Sequence, residues 1–194
     1  VISNSLDEYI IRDILHQGAE IDAFGVGERL ITAKSEPVFG GVYKLSAKEM
    51  PDGTIVPKIK ISANPGKITN PHYKKVYRLY DKADGHAMAD LICVHDEVLD
   101  ENRPMELFDP EATWKRKTFE NYTLRELQVP IFLGGECVYT SPGTAQIRAY
   151  CKEQLDTLWD EVKRFENPHT YYVDLSQKLF DIKQELLAKK GGNA

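Results

Sequence analysis

The feature that most constrains the fold is a pair of strand–turn–helix junctions near the start of the chain. The apolar pair Val1-Ile2 runs into the polar turn Ser3-Asn4-Ser5, and a second strand, residues 20–24, runs into Gly25-Val26-Gly27. Apolar residues at helical spacing lie between the two strands, so residues 1–45 are predicted to form β-α-β. A single β-α-β unit cannot cover both faces of its strands. We therefore predict that residues 1–45 are the last part of a larger α/β barrel.

Helix ends within this segment are also predicted by the sequence. Ser5 and Glu8 have the spacing of a capping box, and Gly18 suits the left-handed residue that follows a helix. A second, short helix is expected over residues 28–33. After it, a glycine pair leads into residues 41–45, which are expected to form another strand.

From residue 46 the hydrophobic pattern changes to a period of two. Three antiparallel strands are predicted over residues 54–62, 74–81 and 86–94, with turn residues between them. This stretch has no crossover helices, so it cannot continue a parallel barrel. We therefore expect a domain boundary near residue 46 and an antiparallel β segment over residues 46–95.

The remaining residues, 96–194, are predicted to form a loop, a hairpin and two helices. Residues 96–126 show little periodicity and are expected to be a long surface loop with at most short helical turns. Predicted elements of this segment are a hairpin of residues 127–133 and 136–140, a helix from Ser141-Pro142 to before Asn167, and a helix over residues 174–189. The fold class is thus α/β: the last strands and helices of an irregular, TIM-like barrel, then an antiparallel β region and C-terminal helices.

Composition excludes several kinds of function. The net charge is −5 over 194 residues, so no general basic field attracts nucleic acid or an anionic membrane. No apolar run approaches the ~20 residues that a membrane span needs. Three cysteines without metal-ligand spacing are typical of a reducing compartment, and we expect a cytoplasmic protein.

The two turns together indicate an anion site. A strand that ends at a helix start presents free backbone N–H groups and a partial positive charge to an anion. Ser3-Asn4-Ser5 adds side-chain donors, and glycines in Gly25-Val26-Gly27 let the backbone approach a phosphate closely. The structural alternative is that Ser5 only caps a helix and that the glycines only permit a tight turn.

Other candidate chemistry is weaker. Gly40-Gly41 and Lys44 suit contact with a phosphate-bearing ligand, although such glycines more often mark a bend and such a lysine is more often solvated. The five histidines are scattered, and no residue spacing indicates a metal site or a nucleophile with its base. The sequence therefore predicts a binding site in this chain and catalytic groups outside it.

Several motifs give the chain a close resemblance to nicotinate phosphoribosyltransferases of the bacterial type. The resemblance covers nearly the whole chain and about the C-terminal two-fifths of such an enzyme. The motifs that carry it are Ser3-Asn4-Ser5-Leu6-Asp7-Glu8-Tyr9, Gly25-Val26-Gly27-x-Arg29-Leu30, Gly40-Gly41-Val42-Tyr43-Lys44-Leu45, Lys60-Ile61-Ser62, Val76-Tyr77-Arg78, Leu155-Asp156-x-Leu158-Trp159 and Tyr171-Tyr172-Val173-Asp174-Leu175-Ser176.

This resemblance implies an activity. The family joins nicotinate to the ribose-5-phosphate of phosphoribosyl pyrophosphate, with coupled ATP hydrolysis and Mg²⁺, in NAD biosynthesis. It implies an irregular α/β barrel, a homodimer, and a ribose 5′-phosphate held by Ser3-Asn4-Ser5 and Gly25-Val26-Gly27. The family's phosphorylated histidine and nicotinate-binding arginine are expected upstream, so the 194-residue chain alone is expected to be inactive.

Two alternatives remain open on the sequence. A related phosphoribosyltransferase acting on nicotinamide or quinolinate would share the barrel, and the residues that recognise the base are not in this chain. A non-catalytic interaction module is the second alternative, in which residues 1–45 dock on a partner.

Overall fold

The computed structural model describes residues 1–38 and 40–191. They belong to two compact units, Val1–Tyr43 and Lys44–Ala194. Each unit has its own strands and helices.

The first unit is a small β-α-β arrangement. Strand β1 (Ile2–Ser3) pairs in parallel with β2 (Phe24–Gly25), and helix α1 (Glu8–His16) connects them. A four-residue helix, α2 (Glu28–Ile31), follows β2. The predicted order of elements is therefore confirmed, but this two-stranded sheet is not a closed barrel.

Helix α1 begins at a different cap from the predicted one. The Asp7 backbone is extended, and its Oδ1 accepts a hydrogen bond of 2.9 Å from the backbone N–H of Ile10. The capping box predicted at Ser5 is wrong, because Ser5 has a left-handed φ of 51° and the helix starts two residues later. A capping residue needs the extended backbone that Asp7 provides.

The end of α1 is the predicted one. Gly18 has a φ of 80°, a conformation that glycine adopts without a steric penalty. Its N–H donates to the carbonyl of Leu15 at 3.0 Å, and the next N–H, of Ala19, donates to the carbonyl of Ile14 at 3.3 Å. This is the Schellman pattern, which satisfies carbonyls left free at a helix end.

The second unit contains ten strands and two helices among its described residues. In chain order they are β3 (Ala47–Glu49), β4 (Ile55–Pro57), β5 (Lys74–Asp81), β6 (Ala87–Val94), β7 (Met105–Phe108), β8 (Arg116–Phe119), β9 (Tyr122–Glu126), β10 (Phe132–Leu133), β11 (Glu136–Cys137), α3 (Thr144–Asp156), β12 (Val173–Leu175) and α4 (Gln177–Gly191).

Its main sheet has four strands in the order β12-β6-β5-β9. Strands β5 and β6 form the long antiparallel pair predicted from the period of two, and β9 continues the antiparallel pairing on the other side of β5. Strand β12 pairs with β6 in parallel at the edge of the sheet. The sheet thus takes strands from both of the segments, 46–95 and 96–194, that the sequence analysis treats separately.

Three other sequence predictions need correction in the strands. The strand predicted over 54–62 is limited to β4, which pairs with β3 and not with β5. Residues 96–126 are not a loop, because they contain β7, β8 and β9. Strands of four or five residues are too short to show alternation clearly, and the partner of β9 in the main sheet, β5, is distant in sequence. Residues 41–45 contain no strand.

The C-terminal elements are also shorter than predicted. The hairpin around Gly134-Gly135 is confirmed, but each strand, β10 and β11, has two residues. Helix α3 starts after Gly143, which is its N-cap, and ends at Asp156, well before the predicted end near Asn167. Helix α4 starts at Gln177 because the preceding residues form β12.

The hydrophobic core lies on the main sheet. Its largest cluster joins β5 and β6 to β7, β8 and β9, and a second cluster holds α4 against β6 and β12. Phe108 and Phe180 pack edge to face with ring centroids 5.2 Å apart. The first cluster comprises Leu79, Ala89, Leu91, Cys93, Leu107, Phe119 and Tyr122, and the second comprises Val94, Leu175 and Leu179.

A buried ion pair crosses the centre of this sheet. Arg78 on β5 donates to both carboxylate oxygens of Asp90 on β6, at 2.8 and 2.9 Å. The hydroxyl of Tyr171, just ahead of β12, donates to the same carboxylate at 2.9 Å. Three donors therefore satisfy a carboxylate that is otherwise buried, which is the condition for such a charge to be tolerated.

Among the described residues, no helix has both the length and the apolar character that a membrane crossing requires.

The loop that precedes β7 is held by one buried hydroxyl. Tyr122 is 1% exposed, and its hydroxyl lies 2.9 Å from the carbonyl of Arg103 and 3.1 Å from that of Asp100. We predict that Tyr122→Phe lowers the free energy of unfolding by about 1 kcal/mol, because this hydrogen bond is lost. Urea unfolding measures the change. Tyr43→Phe is the matched control, since Tyr43 is 98% exposed, and an equal loss in both variants would contradict the prediction.

A second prediction concerns the cap of α1. Asp7→Ala removes the side-chain acceptor and is expected to cost about 1 kcal/mol, whereas Asp7→Asn keeps an acceptor and is expected to cost less. Hydrogen exchange of the Ile10 amide reports on this helix end directly. If the asparagine variant exchanges as fast as the alanine variant, the charge of Asp7 and not its capping bond stabilises the helix.

Candidate phosphate-binding site

The two turns predicted to bind an anion leave neighbouring strands. Ser3 is the register partner of Gly25 in the parallel pair β1–β2, so Ser3-Asn4-Ser5 and Gly25-Val26-Gly27 start side by side. A Cβ atom at Gly25 would lie 3.1 Å from the Cβ of Ser3. The two strands therefore lie so close at this point that a side chain on residue 25 would have to displace Ser3 by a few tenths of an ångström.

The backbone of the first turn has an uncommon conformation. Asn4 and Ser5 both have positive φ, 98° and 51°, directly after β1. Each residue of this kind costs on the order of 1–3 kcal/mol, and such residues cluster at ligand sites. The surrounding structure must therefore hold the turn in place.

Backbone donors of both turns are free to bind a ligand. Within the described ranges 1–38 and 40–191, the N–H groups of Ser5, Val26 and Gly27 have no acceptor in the protein. Asn4, Ser5 and Gly27 are exposed. A group of unpaired N–H donors at the ends of two adjacent strands is suited to an anion.

One ion pair ties the two helices that follow these turns. Asp7 caps α1 through Oδ1, and its Oδ2 accepts a 2.7 Å hydrogen bond from Arg29 on α2. Only about a tenth of the Asp7 side chain is exposed, so this bond is better protected than an ordinary surface ion pair. Asp7 thereby fixes the start of α1 relative to the start of α2, and with them the two turns.

A small cavity lies beside this ion pair. Its volume is about 140 Å³, and it is lined by Asp7, Glu8, Tyr9, Arg29, Lys34 and Ser35. The sequence analysis assigned no role to Asp7, Arg29 or Lys34. The signal in the sequence was the position of Arg29, two residues after a Gly-x-Gly turn, but only the fold shows that its partner is Asp7.

Three further predicted residues lie after the second helix. Gly40 and Gly41 belong to the first unit and are exposed, and nothing lies within 4 Å of a Cβ atom placed on either. Lys44 is the first residue of the second unit and is also exposed. The strand that was expected to carry Lys44 is not formed, and the role of all three residues in substrate binding stays a prediction.

The described residues do not gather an obvious catalytic group. In the ranges 1–38 and 40–191, no three histidine, cysteine or acidic side chains lie close enough to hold a metal ion. In the second unit, burial raises the pKa of Tyr171, but its hydroxyl is bound to Asp90 within the sheet. This network is structural.

Comparison with known proteins places the chain in a family. A family model described as the nicotinate phosphoribosyltransferase C-terminal domain matches residues 73–183. Nicotinate phosphoribosyltransferase of Bacillus subtilis is 40% identical over 185 residues, which are 95% of this chain and 38% of that protein. The Caenorhabditis elegans enzyme is 33% identical, over 94% of this chain and 32% of its own length.

A solved structure has the same fold. The crystal structure of human nicotinic acid phosphoribosyltransferase matches 95% of this chain and 32% of its own with a TM-score of 0.67, at 22% sequence identity. The chain thus spans less than two fifths of the length of the relatives it matches. Because the family model covers more than half of the described residues, the chain belongs to the nicotinate phosphoribosyltransferase family.

Proposed function

We propose that this chain supplies the ribose 5′-phosphate site of an enzyme that makes nicotinate mononucleotide from nicotinate and phosphoribosyl pyrophosphate. The observation that carries the proposal is the register of β1 and β2, in which Ser3 faces Gly25. It sets two turns with unpaired N–H groups side by side, where a single phosphate can accept from both. Ser3-Asn4-Ser5 and Gly25-Val26-Gly27 are the proposed contacts, and Gly40, Gly41 and Lys44 are proposed to contact the substrate further on.

A phosphate site of this kind contributes to catalysis without touching the reacting atoms. The ring nitrogen of nicotinate forms a bond to the anomeric carbon of the ribose, and the bond to pyrophosphate breaks. The transition state has oxocarbenium character, so the enzyme must position the donor and stabilise the leaving charge. Binding the remote 5′-phosphate fixes the ribose for this displacement.

ATP and Mg²⁺ are proposed to bind elsewhere in the enzyme. In the described part of this chain, no three histidine, cysteine or acidic side chains lie close enough together to hold a metal ion by themselves. We likewise place the histidine that is phosphorylated and the arginine that binds nicotinate outside these residues. The contribution of this chain is to bind and orient the sugar phosphate.

The larger assembly is also part of the proposal. We propose that residues 1–45 complete an irregular, TIM-like barrel, and exposed apolar residues of α1 such as Ile10 and Leu15 support this, because a barrel helix covers such residues against its strands. A cytoplasmic homodimer that does not bind nucleic acid is proposed from the family and from the net charge of −5.

Two other functions make different predictions for the intact protein. A nicotinamide or quinolinate phosphoribosyltransferase would use the same phosphate site, and comparing the three bases as substrates separates these enzymes. A non-catalytic module would bind neither phosphoribosyl pyrophosphate nor nicotinate mononucleotide. The family match favours nicotinate.

Gly27 offers a sharp test of the phosphate site. No heavy atom lies within 4 Å of a Cβ atom placed on Gly27, so the methyl group of Gly27→Ala extends into open space, where we propose that the phosphate binds. Gly27 has φ −106° and ψ −109°, outside the regions that L-residues favour, so the urea unfolding of Gly27→Ala is compared with that of the parent protein before binding is measured. We predict that this change weakens binding of phosphoribosyl pyrophosphate by about tenfold or more, equivalent to at least about 1.4 kcal/mol. Isothermal titration calorimetry on the intact enzyme measures the dissociation constant.

Gly143→Ala is the matched control. Gly143 is also the N-cap of a helix, α3, and a Cβ atom there meets only Gln146 Oε1, at an ordinary distance of 3.8 Å. This variant is expected to bind like the parent protein. Unchanged affinity in Gly27→Ala would refute the proposed phosphate position.

A further prediction concerns the isolated 194-residue chain. Because we place the phosphorylated histidine and the nicotinate-binding arginine outside this chain, we expect it to form no nicotinate mononucleotide from nicotinate, phosphoribosyl pyrophosphate and ATP. Chromatographic detection of the product is the assay, with the intact enzyme as positive control. Turnover by the isolated chain would show that catalytic groups have been overlooked in it.

A further inference from the structure

A large cavity opens in the second unit beside the edge strand β12. Its volume is about 1270 Å³, and its walls include the aromatic rings of Trp159 and Tyr172 and the carboxylate of Asp174. None of the residues proposed to bind phosphate lines it. A cavity of this size holds an organic molecule and is far larger than a bare metal ion requires.

Asp174 is a buried carboxylate without a partner. The residue is 7% exposed, and no hydrogen bond or ion pair joins its side chain to any residue in the described ranges. Asp90, equally buried on the neighbouring strand, accepts from three donor groups of Arg78 and Tyr171. The carboxylate oxygens of Asp174 instead keep some contact with solvent through the cavity, and the described part of the protein places no donor against them. Partial burial without a donor makes the ionised form of this carboxyl group costly.

The charged groups around Asp174 do not supply that positive group. Asp109, Glu111 and Glu161 also line the cavity and add negative charge. Burial and the carboxylate of Asp109 together raise the pKa of Asp174 to about 6.

The three basic side chains of the cavity do not neutralise this carboxylate. Lys115 lies 3.7 Å from Asp109, with which it forms an ion pair. Lys117 lies over the ring of Phe119, 4.9 Å from its centroid. His169 is in the lining but forms no ion pair with Asp174. A cationic ligand could therefore form an ion pair with Asp174 without displacing a basic side chain of the protein.

We propose that this cavity binds an organic cation, an alkylammonium or alkylguanidinium group, with Asp174 as its counter-ion. The ring of Tyr172 and the face of Trp159 that does not stack on His86 suit such a ligand, because a cation is attracted to the face of an aromatic ring. The proposal does not depend on the phosphate site, since the two sets of residues lie in different units. Either can fail while the other holds.

Titration of the intact enzyme with pentylguanidinium tests the proposal. Calorimetry at pH 7.5 is expected to detect binding, and Asp174→Asn is expected to weaken it by about tenfold or more. Pentylurea, which has nearly the same shape but no charge, is expected not to bind. Asp181→Asn is the matched control, because Asp181 is an exposed acid of α4 outside the cavity, and it should bind pentylguanidinium like the parent protein.

The pH dependence gives an independent readout. At pH 5 Asp174 is mostly protonated in the free protein, so pentylguanidinium should bind more weakly there than at pH 7.5. In Asp174→Asn this difference should be much smaller, because the other charged or titratable groups that line the cavity are the same in both proteins; they are Asp81, Asp109, Glu111, Lys115, Lys117, Glu161 and His169. The variant should also be at least as stable as the parent at pH 7.5 without ligand, because the amide removes an uncompensated buried charge.

Three results would overturn the proposal. They are the absence of pentylguanidinium binding to the intact enzyme, equal affinity in the parent and in a folded Asp174→Asn, and equal affinity for pentylurea. The first would show that the rest of the polypeptide already fills or covers the cavity.

Discussion

The carboxylate of Asp90 accepts hydrogen bonds from Arg78 on one side and from Tyr171 on the other, and so links three neighbouring stretches of the main sheet. Strands β5 and β6 are eight residues long and form seven residue pairs, but β12 is only three residues long. The network of Asp90 fixes the residues just ahead of β12 on the sheet. Helix α4 then packs where β12 ends, so its position follows from the same contact.

The two buried acids of this sheet show how context decides the role of a side chain. Asp90 and Asp174 lie on adjacent strands and are equally inaccessible, yet only Asp90 has donors within reach. The first carboxylate is a structural element. The second carboxylate, that of Asp174, faces a cavity. Burial and the nearby carboxylate of Asp109 raise its pKa, and the lack of a neighbouring cation is also the reason for its proposed role as a counter-ion.

In the first unit, backbone groups and one ion pair form the proposed site. The N–H groups of the two turns are free, the glycine at position 25 permits their close approach, and the bond between Asp7 and Arg29 holds the helices that follow. Sequence reasoning identified the turns correctly as neighbours because parallel strands joined by a helix usually pair. The predicted cap at Ser5 was wrong, because Ser5 has a positive φ. That backbone angle depends on the path of the whole turn and cannot be read from the residues next to Ser5.

Local patterns in the sequence were sufficient to predict the elements whose structure depends on residues close together in the chain. The alternation over β5 and β6, the glycine after α1 and the order β1-α1-β2 all depend on residues close together in the chain. The short strands β7, β8, β9 and β12 were missed. Strands β9 and β12 each pair with a strand far away in sequence, and β7 and β8 pair with each other but are too short to show a clear alternation. The sequence by itself determined the family, the β-α-β start and the long hairpin of the sheet. Only the tertiary structure decided which buried carboxylates are paired. The donors that a buried carboxylate needs come from residues far away in the sequence, and only folding determines whether they lie within hydrogen-bond distance.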